Sequence, residues 1–379
     1  MSADDPIPVH RPSLGPLERE ALLRCLELGQ LDGDGLCSRQ VEDLLEQLTG
    51  SPHVLLTNSA TAALELALEL LGVGPGDEVV CPSFTFPSTA NAILRVGARP
   101  VFADVDPDTL CLDPEDVARV TGPATRAAIP VDYAGMGCDL GALRQALPAS
   151  AFVVEDAAHG IGALRNDRHV GVDADAAALS FHASKNITSG EGGALLLPTK
   201  ELAARAEIRR EKGTNRTAFL RGEVNRYEWI DTGTSGTLAE PLAALLLAQL
   251  ARVDELTSSR RRLVSRYDTG LAQLFADGRL RPLRPPTCAR PNGHLYAVRT
   301  RDEAGRRALQ EGLRETGIDA PIHFVPLHTS RFATQQLGAQ RALPVTEDAE
   351  ATLLRLPLFA DLTDAQQDRV VARVLALLD

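Results

Sequence analysis

Phe152-Val153-Val154-Glu155-Asp156-Ala157-Ala158-His159 is a short apolar run ending in acid. Downstream, Ser180-Phe181-His182-Ala183-Ser184-Lys185-Asn186 leads into Gly190-Glu191-Gly192-Gly193. The first reads as a strand that ends at Asp156, and the second places Lys185 near the carboxyl end of another strand. By strand alternation Glu155 faces away from Asp156. These two strand ends fix the reading of the rest.

Working outward, short apolar runs alternate with helical stretches from about residue 53 to 200. The runs are Val54–Leu56, Glu78–Cys81, Pro100–Ala103, Ala127–Pro130, Phe152–Val154, Ala177–Ser180 and Ala194–Leu197. Helices are expected over 61–71, 88–96, 113–120 and 139–147. Strands alternating with helices predict an α/β fold, a mostly parallel sheet covered on both faces. Ligands of such sheets sit at the carboxyl ends of the strands. An apolar-periodic stretch over 238–275 reads as a helix bridging two domains, and the proline-rich 282–291 as a connector. The expected division is a large domain over 31–250 and a smaller α+β domain from 1–30 and 251–379. In the smaller domain a strand is expected over 294–299, with helices near 302–316 and 363–378.

A net charge of −12 argues against nucleic acid or an anionic membrane as the main partner. Hydrophobic content of 44% and charged content of 24% are those of a globular protein. No window reaches the roughly 20 apolar residues of a membrane span. The start, Met1-Ser2-Ala3-Asp4-Asp5, has no signal-peptide core. Six scattered cysteines without a CxxC pair read as reduced thiols, so a cytoplasmic protein is expected.

Among 39 Lys and Arg residues only Lys185, Lys200 and Lys212 are lysine. A chain that uses arginine for generic surface cations keeps lysine where a primary amine is needed. An amine and a strand-end carboxylate are the two protein groups that pyridoxal phosphate (PLP) requires. The lysine carries the cofactor as a Schiff base and moves a proton, and the carboxylate keeps the ring nitrogen protonated. Lys185 and Asp156 are the candidates. His159 is a candidate to reach the cofactor or lie over its ring.

The cofactor phosphate calls for amides and hydroxyls at a helix start. Asn58-Ser59-Ala60-Thr61 precedes an alanine-rich helix, a position equally suited to an ordinary N-cap, and Ser180 is a second hydroxyl. Phe86, in Pro82-Ser83-Phe84-Thr85-Phe86-Pro87, is a candidate to stack on the pyridine face, although alone it reads as core. Arg205, Arg209, Arg210, Lys212, Arg216, Arg221 and Arg226 reverse the local sign of charge. They suit a diphosphate-bearing substrate, or a solvated helix laced with salt bridges. His323 and His328 have a spacing that permits metal, but no carboxylate or thiol stands nearby in sequence, and no metal is expected.

On these motifs the chain resembles the DegT/DnrJ/EryC1/StrS nucleotide-sugar aminotransferases, PLP enzymes of aspartate-aminotransferase fold type I. The resemblance runs from Gly33-Asp34-Gly35 to Leu354-Arg355-Leu356-Pro357-Leu358-Phe359. Within that family, Arg210-Glu211-Lys212-Gly213-Thr214-Asn215-Arg216 looks like the branch acting on dTDP-4-dehydro-6-deoxy-D-glucose. The resemblance implies Lys185 as the cofactor-bearing lysine and Asp156 as the pyridinium partner. It implies phosphate contacts at Ser59, Ala60, Thr61 and Ser180, with Phe86 stacked on the ring and His159 beside it. Substrate contacts are then expected among Lys212, Arg216, Arg221, His323 and Phe324, with L-glutamate as amino donor. It further implies a homodimer in which Ser235, where many members carry Asn, reaches the neighbouring subunit's phosphate.

Two positions depart from the branch, Gly236 and Phe324, each where tyrosine is expected. Both lose a hydroxyl, and they direct attention to the stereochemistry at C4. Family dehydratases carry histidine in place of the lysine, so Lys185 disfavours that chemistry. Two rival readings stay open from sequence: a catalytically silent nucleotide-sugar-binding paralogue, and a PLP enzyme acting on a free amino acid or cyclic precursor.

Overall fold

In a computed structural model, which describes residues 5–378, the seven expected runs all form strands of one sheet. The acidic start Met1–Asp4 lies outside the described residues. The strands are β1 (His53–Thr57), β2 (Glu78–Pro82), β3 (Arg99–Ala103), β4 (Thr125–Ala128), β5 (Phe152–Asp156), β6 (Ala176–Ser180) and β7 (Gly193–Leu197). Their order is β1-β7-β6-β5-β4-β2-β3. Pairings from β6 through β5, β4 and β2 to β3 are parallel, and β7 runs antiparallel to both β6 and β1. A mostly parallel sheet is buried on both faces, which explains why β6 and β7 read as unbroken apolar runs.

Alternation divides the large-domain core in two. Leu55, Val154, Ala178, Leu195 and Leu197 face the helix Ala60–Leu70 and its Leu64 and Leu68. Leu56, Ala177, Leu179 and Leu196 face the other way, onto Val41, Leu45 and Leu246. With helices on both faces, the ends of β5 and β6 are left open for chemistry.

The smaller C-terminal sheet is antiparallel and contains β8 (Arg281–Pro282), β9 (Tyr296–Arg299) and β10 (Leu353–Leu356). Helices Glu303–Glu315 and Asp364–Leu378 cover it through Leu309, Leu313, Val370 and Val374. Together the sheets give the expected α/β fold, a large domain and a smaller α+β domain. The described part of the first thirty residues divides between them. Ile7 is buried in the small-domain core, with its amide on Gly317 O at 2.8 Å. Helix Pro16–Leu28 instead packs on helix Glu240–Leu250, where Gln249 Nε2 donates to Glu18 Oε1 at 2.7 Å.

The single helix expected over 238–275 is broken into Glu240–Leu250, Val253–Gly270 and Ala272–Ala276. The break falls within the large-domain core, and the change of partner comes later, inside Val253–Gly270. Leu246, Leu250 and Leu256 pack in the large-domain core, whereas Leu263 and Tyr267 pack in the small one. At the break, Arg252 is held by Glu18 at 2.8 Å and Glu255 at 3.0 Å. Among the described residues no helix is long and apolar enough to cross a membrane.

Candidate active site

Asp156 is the last residue of β5 and is buried. Its Oδ2 accepts from Thr89 Oγ1 at 2.8 Å, Thr89 is bonded to Thr85 Oγ1 at 2.9 Å, and its Oδ1 accepts from the Ala158 amide at 3.2 Å. Burial raises its pKa, opposed by the Thr89 and Ala158 hydrogen bonds and by the charge of Lys185. A buried carboxylate so held is the group that a pyridinium nitrogen requires.

Lys185 follows β6 in a loop closed by its own hydrogen bonds. Ala183 N donates to Gly190 O at 2.7 Å, Ser189 N to Phe181 O at 2.9 Å, and Lys185 N to His182 O at 2.9 Å. Burial lowers the Lys185 pKa from 10.5 to about 8; Asp156 opposes that shift and Arg355 adds to it. Near pH 8 about half of its amine is then neutral and nucleophilic, against well under 1% for a free lysine.

The strand register assembles the phosphate end. Gly193 on β7 pairs with Thr57 on β1 and with Ser180 on β6. A Cβ at Gly193 would lie 2.4 Å from Ser59 C and from Ala60 N, so only glycine lets this backbone meet the helix start. Ser59 caps that helix, its Oγ accepting from the Ala62 amide at 3.1 Å. Thr61 Oγ1 donates to Ser88 Oγ at 2.8 Å, which brings helix Pro87–Arg95 alongside. The first turn of that helix therefore touches both Thr61 and, through Thr89, Asp156. Phe86 stands immediately before it and is 61% exposed, not the core residue its surroundings suggested.

An imidazole wall encloses the amine. His159 stacks on His294 with centroids 4.0 Å apart and faces His323 at 6.2 Å. His323 Nδ1 is 3.2 Å from Tyr133 Oη, His10 Nε2 is 3.0 Å from Ala183 O, and His294 Nδ1 bonds Asn186 Oδ1. Burial pushes His10, His159, His294 and His323 well below the usual histidine range, so at neutral pH they place no charge beside Lys185. The buried Nδ1 of His159 has no hydrogen-bond partner. Strand-end carboxylate, buried amine, hydroxyl-lined helix start, exposed aromatic and an unpaired buried imidazole nitrogen all fit PLP.

The other candidates are placed as follows. Phe324 packs edge-on against Phe84 at 5.7 Å and lies 6.1 Å from Tyr133. His328 bonds Ser83 Oγ at 2.7 Å and Glu347 at 3.2 Å. Much of the arginine segment is engaged in ion pairs. Arg210 is buried between Asp34 and Glu42, Arg221 is held by Glu207 and Glu223, and Arg209 by Asp231. Lys212 pairs with Glu211 at 2.8 Å, and Arg216 only loosely with Asp32 at 3.7 Å. Ser235 is exposed, its carbonyl accepting from Asn58 Nδ2 at 3.2 Å beside the helix start. Reading the sequence missed His10, Thr89, Tyr133, Asn186, His294 and Arg355, although a charged residue inside the apolar β10 was a usable signal.

Fold and family together define a PLP-dependent aminotransferase, and the site brings Lys185 and Asp156 together at adjacent strand ends. The chain belongs to the DegT/DnrJ/EryC1/StrS aminotransferase family, which it matches over residues 12–375. Among solved structures it is similar to the aminotransferase TlmJ from Streptoalloteichus hindustanus, at 33% identity, 98% of each chain covered and a TM-score of 0.89. It is also similar to the sugar aminotransferase CalS13 from Micromonospora echinospora, at 28% identity, 98% of this chain and 99% of that one covered and a TM-score of 0.88. The PLP form of Spr1654 from Streptococcus pneumoniae is 28% identical, with 98% of each chain covered and a TM-score of 0.90.

Proposed function

We propose that this protein transfers the amino group of L-glutamate to C4 of dTDP-4-dehydro-6-deoxy-D-glucose, giving a dTDP-4-amino-4,6-dideoxyhexose. The observation carrying this reading is the buried Asp156 carboxylate, held by Thr89 and the Ala158 amide, on the strand paired with the one that leads to Lys185. The substrate is supported by the likeness of Arg210–Arg216 to that branch of the family and by the sugar aminotransferases among the similar structures. When bound, PLP supplies an electron sink for the pair left on a substrate carbon after proton removal.

The chain's own residues do the rest. Lys185 Nζ, when neutral, takes the proton from the amino-bearing carbon of the donor and returns one to C4 of the sugar in the second half of the cycle. Asp156 holds positive charge on the ring nitrogen, fixed by Thr89 and Ala158. The neutral imidazole wall restricts water, and the helix start at Ser59–Thr61 with Ser180 anchors phosphate.

The working form in this reading is a cytoplasmic homodimer, in which Pro16–Leu28 joins residues 31–250 in the large domain, and Ile7 joins the smaller domain formed by most of 251–379. The segment preceding Ser235 exposes Phe219, Leu220, Tyr227, Trp229 and Ile230, apolar side chains that a second copy would cover. For the product we favour the equatorial (gluco) amine, because Gly236 and Phe324 replace the hydroxyls expected in the axial branch. Phe324 instead sits in an apolar contact with Phe84.

Incubating the holoenzyme with dTDP-4-dehydro-6-deoxy-D-glucose and glutamate should release 2-oxoglutarate and an aminated nucleotide sugar. No 2-oxoglutarate with any nucleotide sugar would remove the assignment. A small H3–H4 coupling in the product's proton spectrum would show an axial amine and reverse only the stereochemical preference.

A further inference from the structure

Asn292-Gly293-His294 leads into β9 and touches both strand-end loops of the large domain. Asn292 is fully buried, and its Nδ2 donates to two carbonyls of the loop after β5, His159 O at 2.7 Å and Ile161 O at 2.8 Å. Its Oδ1 accepts from the His294 amide at 2.9 Å. A Cβ at Gly135 would collide with that oxygen, so glycine is what admits the side chain. Two residues on, the His294 ring stacks on the His159 ring, with centroids 4.0 Å apart and planes 19° apart. His159 is thus gripped at its carbonyl by Asn292 and at its ring by His294.

His294 also meets the loop that carries Lys185. Its Nδ1 bonds Asn186 Oδ1, and because an amide oxygen only accepts, that nitrogen carries the proton. Asn186 is buried directly after Lys185, and its Nδ2 has no hydrogen-bond partner. Its side chain is therefore tied to the rest of the molecule through His294. The segment has its own anchor in Arg260, whose Nη1 donates to Gly293 O at 3.3 Å, His294 O at 3.1 Å and Leu358 O at 3.3 Å. Burial keeps His159 and His294 well below the usual histidine range, so the stacked rings do not repel.

We propose that His294 is a positioning residue of the reaction, tying the ring of His159 and, through an Nδ1 proton donated to Asn186, the amine of Lys185 to one point at the entry to β9. The loops after β5 and β6 share no backbone hydrogen bond, and His294 is where they meet. An amine that moves a proton at a carbon held by the cofactor loses rate with small displacements, so a common anchor for both loops has catalytic value. The proposal rests on Lys185 as the cofactor-bearing amine of the proposed function, and on no particular donor or sugar.

Attachment of PLP to cofactor-free protein reads the state of the Lys185 amine, and in the wild type its rate should bend near pH 8. H294F keeps a ring for the stack and loses the bond to Asn186. With the loop loosened, water reaches the amine and the midpoint should rise by about 0.5 pH unit or more. N186A should shift it similarly, and the double variant H294F/N186A no further, since both changes remove one bond. An unmoved midpoint in H294F, or shifts that add, would overturn the proposal. H294A removes the stack as well and should bind PLP about 3- to 10-fold more weakly than H294F. Equal affinity in the two variants would refute the hold on His159.

Nitrogen NMR of histidine-labelled wild-type holoenzyme guards against misfolding of the variants. The His294 ring, assigned by the loss of its signals in H294F, should be neutral with its proton on Nδ1 between about pH 6 and 9. A charged ring, or a bare Nδ1, would overturn the proposal. Borohydride label away from Lys185 would overturn the lysine assignment and His294 with it. Label on Lys185 with an unmoved midpoint in H294F would fail His294 alone.

Discussion

Glu155 and Asp156 are neighbours on β5 whose carboxylates serve opposite faces of the sheet. Glu155 Oε2 accepts from Arg165 Nη2 at 3.2 Å and from the Gly171 amide at 2.9 Å, whereas Asp156 Oδ2 accepts from Thr89 at 2.8 Å on the cofactor side. One acid ties the large domain together, and the next faces the helix start at Thr89.

Substitutions at the two positions should therefore separate stability from catalysis. E155A leaves the guanidinium of Arg165, only 3% exposed, without its main partner. Breaking a buried pair from one side costs about 3–5 kcal/mol. The lower end is expected, because Asp132, whose pKa is pushed up by burial and then by the charge of Glu155, can ionise once Glu155 is gone. Denaturant unfolding followed by circular dichroism measures the loss; a change under about 1 kcal/mol would contradict it.

D156N should keep the fold and bind PLP, since Asn still accepts from Thr89. Turnover should fall by at least about 100-fold, because a neutral amide cannot hold charge on the ring nitrogen. Single-turnover absorbance decides this, and near-normal turnover would mean that another group faces the nitrogen.

The Lys185 amine sets a pH dependence. Burial lowers its pKa to about 8, so it is protonated and inert below that value and neutral above it. The rate at which PLP becomes covalently attached to cofactor-free protein should rise with pH, bend near 8 and level off above. Borohydride should then fix the label on the Lys185 peptide. A midpoint near the free-lysine value, or label on Lys200 or Lys212, would show that the wrong amine has been assigned.

At Gly193, alanine would add a Cβ 2.4 Å from the Ser59–Ala60 backbone. G193A should displace the helix start and weaken PLP binding by about 10-fold or more, since the lost contacts are charge-assisted hydrogen bonds to phosphate. Titration of cofactor-free protein measures it. Unchanged affinity would indicate that the phosphate sits elsewhere.

Sedimentation should find a dimer, and S235A should lower cofactor affinity if Ser235 completes the neighbouring phosphate site. Fully active monomer would refute the shared site.

Much of this protein was legible in its sequence because the information is local. Seven apolar runs became the seven strands of one sheet, since period and turn residues act over a few positions. Lys185 and Asp156 stood out because Asp156 ends an apolar run, and Lys185, one of three lysines, follows another just before a glycine-rich loop. The break at Ala251–Arg252 was not legible, because Arg252 is held there by Glu18 from the far end of the chain. Nor did the arginine segment reveal that Arg210 and Arg221 are held by Asp34, Glu42, Glu207 and Glu223, two of them far away in the chain. Sequence determined which strands form and singled out Lys185 and Asp156 as the candidate amine and acid. Tertiary structure alone decided what surrounds them, bringing His10 from the chain start and His294 and Arg355 from the small domain to one amine. No local period encodes contacts between strand ends so far apart in the chain, and burial among those contacts is what lowers the pKa of Lys185 to about 8.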